Sequence, residues 1–367
     1  MRSVALCAIS LNRMAGGLEK NLVLLANHLA QHGDRVCLIT FDLPGANAFF
    51  ELDPSVRWHM VARTRPHSPI SFWQRLQMIC RIRNALREAG CPIVVCFHHG
   101  VLFRLAAAGL GLGLPLVCSE RSSLTLYDHI RQTKWSVGFL MLNLTRRVTV
   151  QFPGYVSDYP AWLQRRIRVV PNPVFPAVLQ ASPGMSGQDG RFRLLNVGRL
   201  CAQKNQRLLI DAFAAIHARH PLWDLHIVGD GEYEDSLSSQ VQALGLGGRV
   251  FLQGKRDDVP RWLAGAHLYC MPSKWEGFPN ALAEAMAHGL PAVGLISCAG
   301  VRDLIEDGAS GRLTDAAGLA ATLDGLLADA DARCRMGAAA REQMARYRPE
   351  ETFRRWEAVI DEVAPRR

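Results

Sequence analysis

The chain has 367 residues, 49% of them hydrophobic and 20% charged, with a formal net charge of +9. This is the composition of a soluble globular protein, and the length exceeds one ordinary core and fits two domains of about 180 residues each. No apolar run reaches the roughly 18–20 residues of a membrane span, and the ten cysteines form neither a Cys-x-x-Cys pair nor a cluster with zinc spacing. The cysteines therefore read as small buried hydrophobes in a reducing, cytoplasmic setting. Charge is uneven. Lys and Arg outnumber Asp and Glu 20 to 9 over residues 1–172 but stand at 22 to 24 over the rest, so the first half is +11 and the second −2. A basic first half points to an acidic partner: substrate phosphates, an anionic membrane surface or nucleic acid.

Val4 to Ile9 is a continuous apolar run and reads as a strand buried on both faces, not as a leader. Gly16-Gly17 then opens a helix with Leu18, Leu22, Leu25, Ala26 and Leu29 on one face and Gly33 past its end. A Gly-Gly turn between strand and helix lets a diphosphate approach the backbone, although no Gly-x-Gly-x-x-Gly supports a dinucleotide. Arg35 to Phe41 is a second strand. Between Arg63 and Arg87 lies a basic helix with Phe72, Trp73, Leu76, Ile79, Ile82 and Leu86 at helical spacing. Its apolar stripe is expected to join the core; the alternative is an aromatic tip resting on anionic lipid. Pro92 to Phe97 is a strand ending in His98-His99-Gly100, and Leu116 to Cys118 one ending in Ser119-Glu120-Arg121-Ser122-Ser123. Polar residues at the carboxyl ends of parallel strands sit where open α/β sheets bind ligands. Arg146 to Gln151 and Arg168 to Val170 complete a doubly wound βα pattern.

A break begins at Pro171-Asn172-Pro173, and Ala181 to Gly190 has the composition of a linker. The pattern restarts with a strand from Phe192 to Asn196, then Gly198-Arg199-Leu200, then a helix from about Gln206 to His220. Arg199 and Lys204 bracket this turn, a suitable place for two cations on a diphosphate. Strands follow at Asp224 to Val228, leading into Gly229-Asp230-Gly231, at Arg249 to Gln253 before Gly254 and Arg256, and at His267 to Met271. The last of these delivers Trp275-Glu276-Gly277-Phe278-Pro279-Asn280-Ala281-Leu282-Ala283-Glu284. Here Asn280 is expected to cap a short helix ended by Gly289, with Glu276 just before it and Glu284 one turn inside. The amides of Phe278 to Leu282 would form an anion site at the helix start. Asp329-Ala330-Asp331 lies in a helical region and reads as solvated surface, a poor metal site. The final helix, Glu351 to Val363, has apolar Phe353, Trp356, Val359, Ile360 and Val363.

There is no Gly-x-Ser-x-Gly, no P-loop and no local cysteine-nucleophile signature. What remains is a set of phosphate-holding devices on two similar domains. The combination Gly-Gly-x-Glu-Lys, Gly-Arg-Leu-x-x-x-Lys-Asn, Val-Gly-Asp-Gly and Glu-Gly-Phe-Pro-Asn-Ala-Leu-Ala-Glu resembles the retaining GT-B glycosyltransferases of family 4, in order and spacing over nearly the whole chain. At Gly300-Val301-Arg302-Asp303 and Val150-Gln151-Phe152-Pro153-Gly154 the chain departs from that pattern. The resemblance implies an α/β protein of two Rossmann-like domains facing across a cleft: residues 1–172 for the acceptor, 173–350 for the nucleotide sugar, and 351–367 as a helix returning to the first domain.

By the same resemblance, Glu284 would hold the donor ribose and Glu276 would face the donor sugar. Arg199 and Lys204 would neutralise the diphosphate, with Gly16 and Gly17 approaching it, and Gly277, Phe278, Pro279, Asn280, Ala281 and Leu282 would line it. Arg256 would meet the base, either His98 or His99 would stand near the sugar, and Glu120 and Arg121 are acceptor-side candidates. The implied reaction moves a hexose or N-acetylhexosamine from a nucleotide-diphosphate sugar, UDP favoured, to a glycan acceptor, polyprenyl-diphosphate-linked or a surface-polysaccharide precursor. Neither metal nor cofactor is expected, nor nucleic acid as partner, and the setting is cytoplasmic, with the basic first domain against the inner membrane face. A GT-B sugar-nucleotide epimerase or phosphorylase shares the architecture, and a non-enzymatic polyanion-binding protein would share the charge.

Overall fold

The computed structural model describes residues 1–14, 16–63, 71–90, 93–121 and 137–364. Pro92, Ser122 and Ser123, all named above, lie outside the described residues, as does the side chain of His99. The chain divides into two compact units, Met1–Pro173 with Glu350–Arg367, and Val174–Pro349.

The first unit is a seven-stranded sheet of β1 (Ser3–Ala8), β2 (Arg35–Thr40), β3 (Arg57–Met60), β4 (Ile93–Phe97), β5 (Leu116–Ser119), β6 (Arg147–Val150) and β7 (Ile167–Val169), in the order β3-β2-β1-β4-β5-β6-β7. All its pairs are parallel, with Val4 opposite Val36 on one side and Ile93 on the other. Both faces of such a sheet are covered, hence the unbroken apolar runs of β1 and β4. β3 was not apparent in the sequence: Arg57-Trp58-His59-Met60 is polar and half-exposed, as an edge strand tolerates. The helix Gly17–Gln31 buries Leu22, Leu25, Ala26 and Leu29 against the sheet. The final helix, Pro349–Val363, brings Phe353, Trp356, Val359, Ile360 and Val363 into the same core. Each such side chain contributes about 1.5–3 kcal/mol by burial, which fixes the last helix to the first unit.

The helix Phe72–Glu88 corrects one expectation. Only its second half, at Ile82, Ala85 and Leu86, is buried, whereas Phe72 and Trp73 remain 69% and 72% exposed, with Leu76 and Arg75 beside them in solvent. The stripe is continuous in sequence, but the unit covers just one end of it. Among the described residues no helix is long and apolar enough to cross a membrane.

The second unit has β8 (Phe192–Val197), β9 (Trp223–Val228), β10 (Val250–Leu252), β11 (Leu268–Met271), β12 (Ala292–Leu295) and β13 (Gly311–Thr314), again all parallel, in the order β10-β9-β8-β11-β12-β13. The helix after β8 runs Gln206–Ile216 and tightens into a 3-10 turn at His217–Arg219, shorter than the helix to His220 read from the sequence. The segment with linker composition is also corrected. Arg333, buried in the helix Ala330–Met344, donates to Pro183 O at 2.9 Å and to the carbonyls of Leu326 and Leu327. Its guanidinium lies 4.8 Å from the Trp223 ring and 5.3 Å from that of Phe192. A polar, Gly- and Pro-containing segment is thus tied to the second unit by its backbone carbonyls. Asp329 caps that same helix by accepting from Ala332 N at 2.8 Å.

Candidate active site

In a doubly wound sheet the strand order reverses at one point, and the loops leaving the two strands there diverge and open a crevice. In the second unit those strands are β8 and β11. The loop after β8 carries Arg199 and Lys204, and the loop after β11 carries Glu276.

The two loops are joined. Lys204 Nζ donates to Glu276 Oε1 at 2.6 Å, with the two side chains 19% and 8% exposed. Around this pair Gln203 Nε2 donates to Trp275 O at 2.8 Å, Lys274 N to Gln203 O at 2.9 Å and Asn205 Nδ2 to Pro272 O at 3.2 Å. Asn205 adopts a left-handed conformation (φ 54°), which aims the chain into the helix Gln206–Ile216 and which asparagine tolerates better than most residues. Lys204 also lies along Gly198, where a Cβ would meet its Cε at 3.4 Å. Arg199 is solvent-exposed, while its carbonyl accepts from Gln206 Nε2 at 3.0 Å.

The Val-Gly-Asp-Gly turn after β9 explains itself sterically. At φ 143° and 152°, Gly229 and Gly231 nest against the β8 loop; a Cβ on Gly229 would stand 2.0 Å from Gly198 O and one on Gly231 2.3 Å from Leu200 O. These glycines permit the close approach of two backbones on which the position of Lys204 depends. Gly229 N in turn donates to Gly254 O at 2.9 Å, which places the loop bearing Arg256 beside them. Arg256 itself is exposed, donating to Gln253 Oε1 at 3.3 Å.

The helix after Glu276 runs Asn280–Ala287, and its cap differs from expectation. Pro279 (φ −78°) occupies the cap position and Asn280 is the first helical residue, because the pyrrolidine ring already sets the entry angle. Pro279 makes no side-chain cap hydrogen bond, and the first-turn amides around Ala281 and Leu282 form the positive end of the helix dipole. Phe278 is buried edge-on against Tyr347 at 5.6 Å and anchors the approach, with Gly277 before it half-buried. Glu284 is half-buried one turn into the helix. Both carboxylates act on Tyr269 of β11: burial drives its hydroxyl well above the usual range, and Glu276 and Glu284 add to the effect.

Cys298, which sequence reasoning passed over, belongs to this cluster. Burial pushes its thiol up to about 11, partly offset by the amides of Val301 and Glu276. It stands at the start of the helix Ala299–Leu304, in the segment where the chain departs from the family pattern, and a cysteine there has no spacing signal of its own. In the same helix burial raises Asp303. Among the described residues no group of three His, Cys, Asp or Glu is arranged to hold a metal ion.

In the first unit the reversal falls between β1 and β4. Gly16 caps and Gly17 begins the helix after β1; a Cβ on Gly16 would collide with the Glu19 carboxylate at 2.2 Å, a flexible neighbour. The loop before them is held by Asp42, which accepts from Ser10 Oγ at 2.5 Å and from Leu11 N at 2.8 Å. His98 ends β4 in a positive-φ conformation (87°), with Nδ1 accepting from Gly100 N at 3.1 Å. Its amide donates to Ser119 O at 2.8 Å, tying the ends of β4 and β5 together. Glu120 is buried, accepts from Cys118 Sγ at 3.3 Å and donates through its amide to Thr149 O at 2.9 Å. Arg121 follows it, donating through Nη1 to Asn172 Oδ1 at 2.8 Å.

Two Rossmann-like units, each with a parallel sheet that reverses its strand order once, give the fold of the GT-B class of glycosyltransferase. Family comparison agrees with the fold. Residues 185–343 match the model for glycosyl transferases group 1, and residues 15–177 match that for glycosyltransferase family 4. Along 376 aligned residues the chain is 24% identical to the GalNAc-alpha-(1->4)-GalNAc-alpha-(1->3)-diNAcBac-PP-undecaprenol alpha-1,4-N-acetyl-D-galactosaminyltransferase of Campylobacter jejuni, covering 99% of each. It is 29% identical to the amylovoran biosynthesis glycosyltransferase AmsD of Erwinia amylovora over 95% of this chain and 96% of that one. Among solved structures, Anabaena HepE in complex with UDP superimposes with a TM-score of 0.78 at 18% identity, covering 99% and 100% of the two chains. The chain belongs to the group 1, family 4 glycosyltransferases, and it is a glycosyltransferase of the GT-B fold.

Proposed function

We propose that this enzyme transfers a hexose or N-acetylhexosamine, with retention and without a metal, from a nucleotide-diphosphate sugar to a hydroxyl of a lipid-linked or surface-polysaccharide glycan. UDP is the favoured nucleotide. The observation that carries this reading is the Lys204–Glu276 pair beside a helix start whose cap residue, Pro279, makes no side-chain hydrogen bond. A cation, a carboxylate and a row of backbone amides answer the two chemically different parts of one donor: a diphosphate and the sugar hydroxyls next to it. The substrates named for relatives support these classes. The Campylobacter enzyme acts on a PP-undecaprenol glycan, and HepE was crystallised with UDP.

In this reading the acceptor oxygen attacks the anomeric carbon on the face from which the diphosphate leaves. The new C–O bond forms as the bond to phosphate breaks, and the departing phosphate oxygen takes the acceptor's proton. Lys204, Arg199 and the helix-start amides stabilise the charge that develops on the diphosphate. Glu276 orients the sugar, Glu284 holds the ribose, and Arg256 lies beside the base. Donor binding exchanges partners: the diphosphate takes Lys204 from Glu276, and the sugar hydroxyls replace Lys204 on Glu276. Spent UDP accomplishes only the first exchange and leaves a buried carboxylate without its cation, which favours product release. The basic first unit, with Phe72, Trp73 and Arg75 exposed on one helix end, supports work at an anionic membrane face on the cytoplasmic side.

The test is a panel of UDP- and GDP-sugars with diphosphate-linked lipid glycans, in the presence of chelator. Acceptor-dependent release of UDP with a product of retained anomeric configuration is expected. Nucleotide release without acceptor, an inverted product, or complete dependence on added metal would overturn the reading.

A further inference from the structure

Arg121 differs from the other cations named so far. It stands at the carboxyl end of β5, where the amide of His98 ties β4 to β5. Its guanidinium lies 4.9 Å from the Phe97 ring at the end of β4 and 5.3 Å from Trp356 of the final helix. Nη1 is committed to Asn172, an uncharged acceptor, while Nε is buried and has no partner. Burial pulls the group down to about 9, and among the described residues no carboxylate draws it back up. An arginine with that value still carries its charge at neutral pH. Among the described residues the part-buried guanidinium thus rests on the π-faces of two rings with no carboxylate paired to it, an arrangement that an anion would complete.

The remaining N–H groups specify the anion. With Nη1 taken, Nε and Nη2 remain; once a ligand displaces what covers the buried Nε, these adjacent N–H groups match two oxygens of one phosphate in a bidentate fork. We propose that Arg121 is the phosphate-recognition residue of the first unit and that its ligand is the phosphate ester of the acceptor, the group that links glycan to lipid. This rests on the donor and acceptor classes proposed above and adds which residue reads the acceptor's charge. Phe97 and Trp356 hold the guanidinium plane in place, so the final helix contributes to acceptor recognition through Trp356.

The experiment uses the full chain saturated with UDP, so that the donor site is filled, and adds inorganic pyrophosphate. The wild type is expected to gain thermal stability with pyrophosphate and Arg121→Gln to lose that gain, while UDP alone stabilises both equally. In turnover, Arg121→Gln is expected to raise KM for a diphosphate-linked acceptor about 10–100-fold with donor KM unchanged, and Arg121→Lys, which keeps charge but loses the fork, to fall between. An unaltered pyrophosphate response in Arg121→Gln, or a donor KM that rises in place of the acceptor KM, overturns the proposal. The thermal-shift arm needs no sugar transfer, so absence of transfer from every donor would count against the proposed function and not against this site. Should Arg121→Gln fail to fold, Arg121→Lys carries the test: full pyrophosphate response and unchanged acceptor KM in that variant overturn it.

Discussion

At the carboxyl edge of the second sheet Lys204 meets a carboxylate at 2.6 Å; at the corresponding edge of the first, Arg121 ends on an amide oxygen and two rings. Whole units follow the same contrast. Residues 1–173 with 350–367 hold 24 Lys and Arg against 14 Asp and Glu, a net +10, whereas 174–349 hold 18 against 19, a net −1. On the proposed function, two sheets of one plan are charged for two tasks. A site that, as proposed, takes up a diphosphate sugar and releases the diphosphate would benefit from an internal counter-ion that competes with the product. A site for a ligand carrying its own negative charge benefits from a cation left uncompensated, because each paired carboxylate would have to be displaced first.

The largest effect expected on this contrast comes from Glu276→Gln. Transfer should fall on the order of 10³-fold, while UDP binding measured by calorimetry tightens severalfold because Lys204 is released. Equal or weaker UDP binding in that variant would break the partner-exchange account. Lys204→Ala should lower kcat about 10²-fold and, by stranding the Glu276 carboxylate, destabilise the unit by about 3 kcal/mol. Combined with Glu276→Ala the stability loss should be smaller than the sum, and strict additivity in denaturant melts would deny the coupling. Arg199→Ala, exposed and free to swing onto a diphosphate, should slow transfer with little change in melting temperature; an unchanged rate with every donor refutes its role. Gly229→Ala should cost about 2 kcal/mol and weaken donor binding, since its Cβ would strike Gly198 O.

The smallest effect is on acid stability and falls mainly on the second unit. Burial lowers His226 and His267 to about 4, and His267 Nδ1 accepts from Arg193 N at 2.8 Å, which requires it to be unprotonated. Their folded values lie below the unfolded value of about 6.5, so protons bind the unfolded chain preferentially between those limits and stability declines as pH falls from 6.5 towards 4. At pH 5.5 the loss is about 1 kcal/mol for each histidine. Hydrogen exchange at pH 7 and 5.5 should show β9 and the residues around His267 opening more readily at the lower pH; an unaltered rate there would remove the histidines from the account.

Much of this was readable from the sequence, and the failures share a cause. Strand runs, the Gly-Gly turn, Lys204, Glu276 and Glu284 are each marked by residues within a few positions of one another. The Pro279 cap in place of Asn280 was a local misjudgement between two plausible residues, settled by the fixed φ of proline. The helix Phe72–Glu88 has the right period, but periodicity says which residues share a face, not how much of that face another element covers. The supposed linker was misread because composition cannot register Arg333, 150 positions away from Pro183, reaching its carbonyl.

The sequence by itself determined the parallel α/β class, the two-domain division of charge and the residue types at the strand ends, since these depend on local periodicity, turn chemistry and counting. Tertiary structure alone decided which charges meet. Lys204 and Glu276 are 72 positions apart and pair because β11 lies beside β8, with the strands between them in sequence wound to the other side. Arg121 lies over the Trp356 ring because the final helix carries that side chain, 235 positions on, back to the first unit. Strand order and the return of that helix are set by the packing of whole faces, and no window of neighbouring residues contains that information.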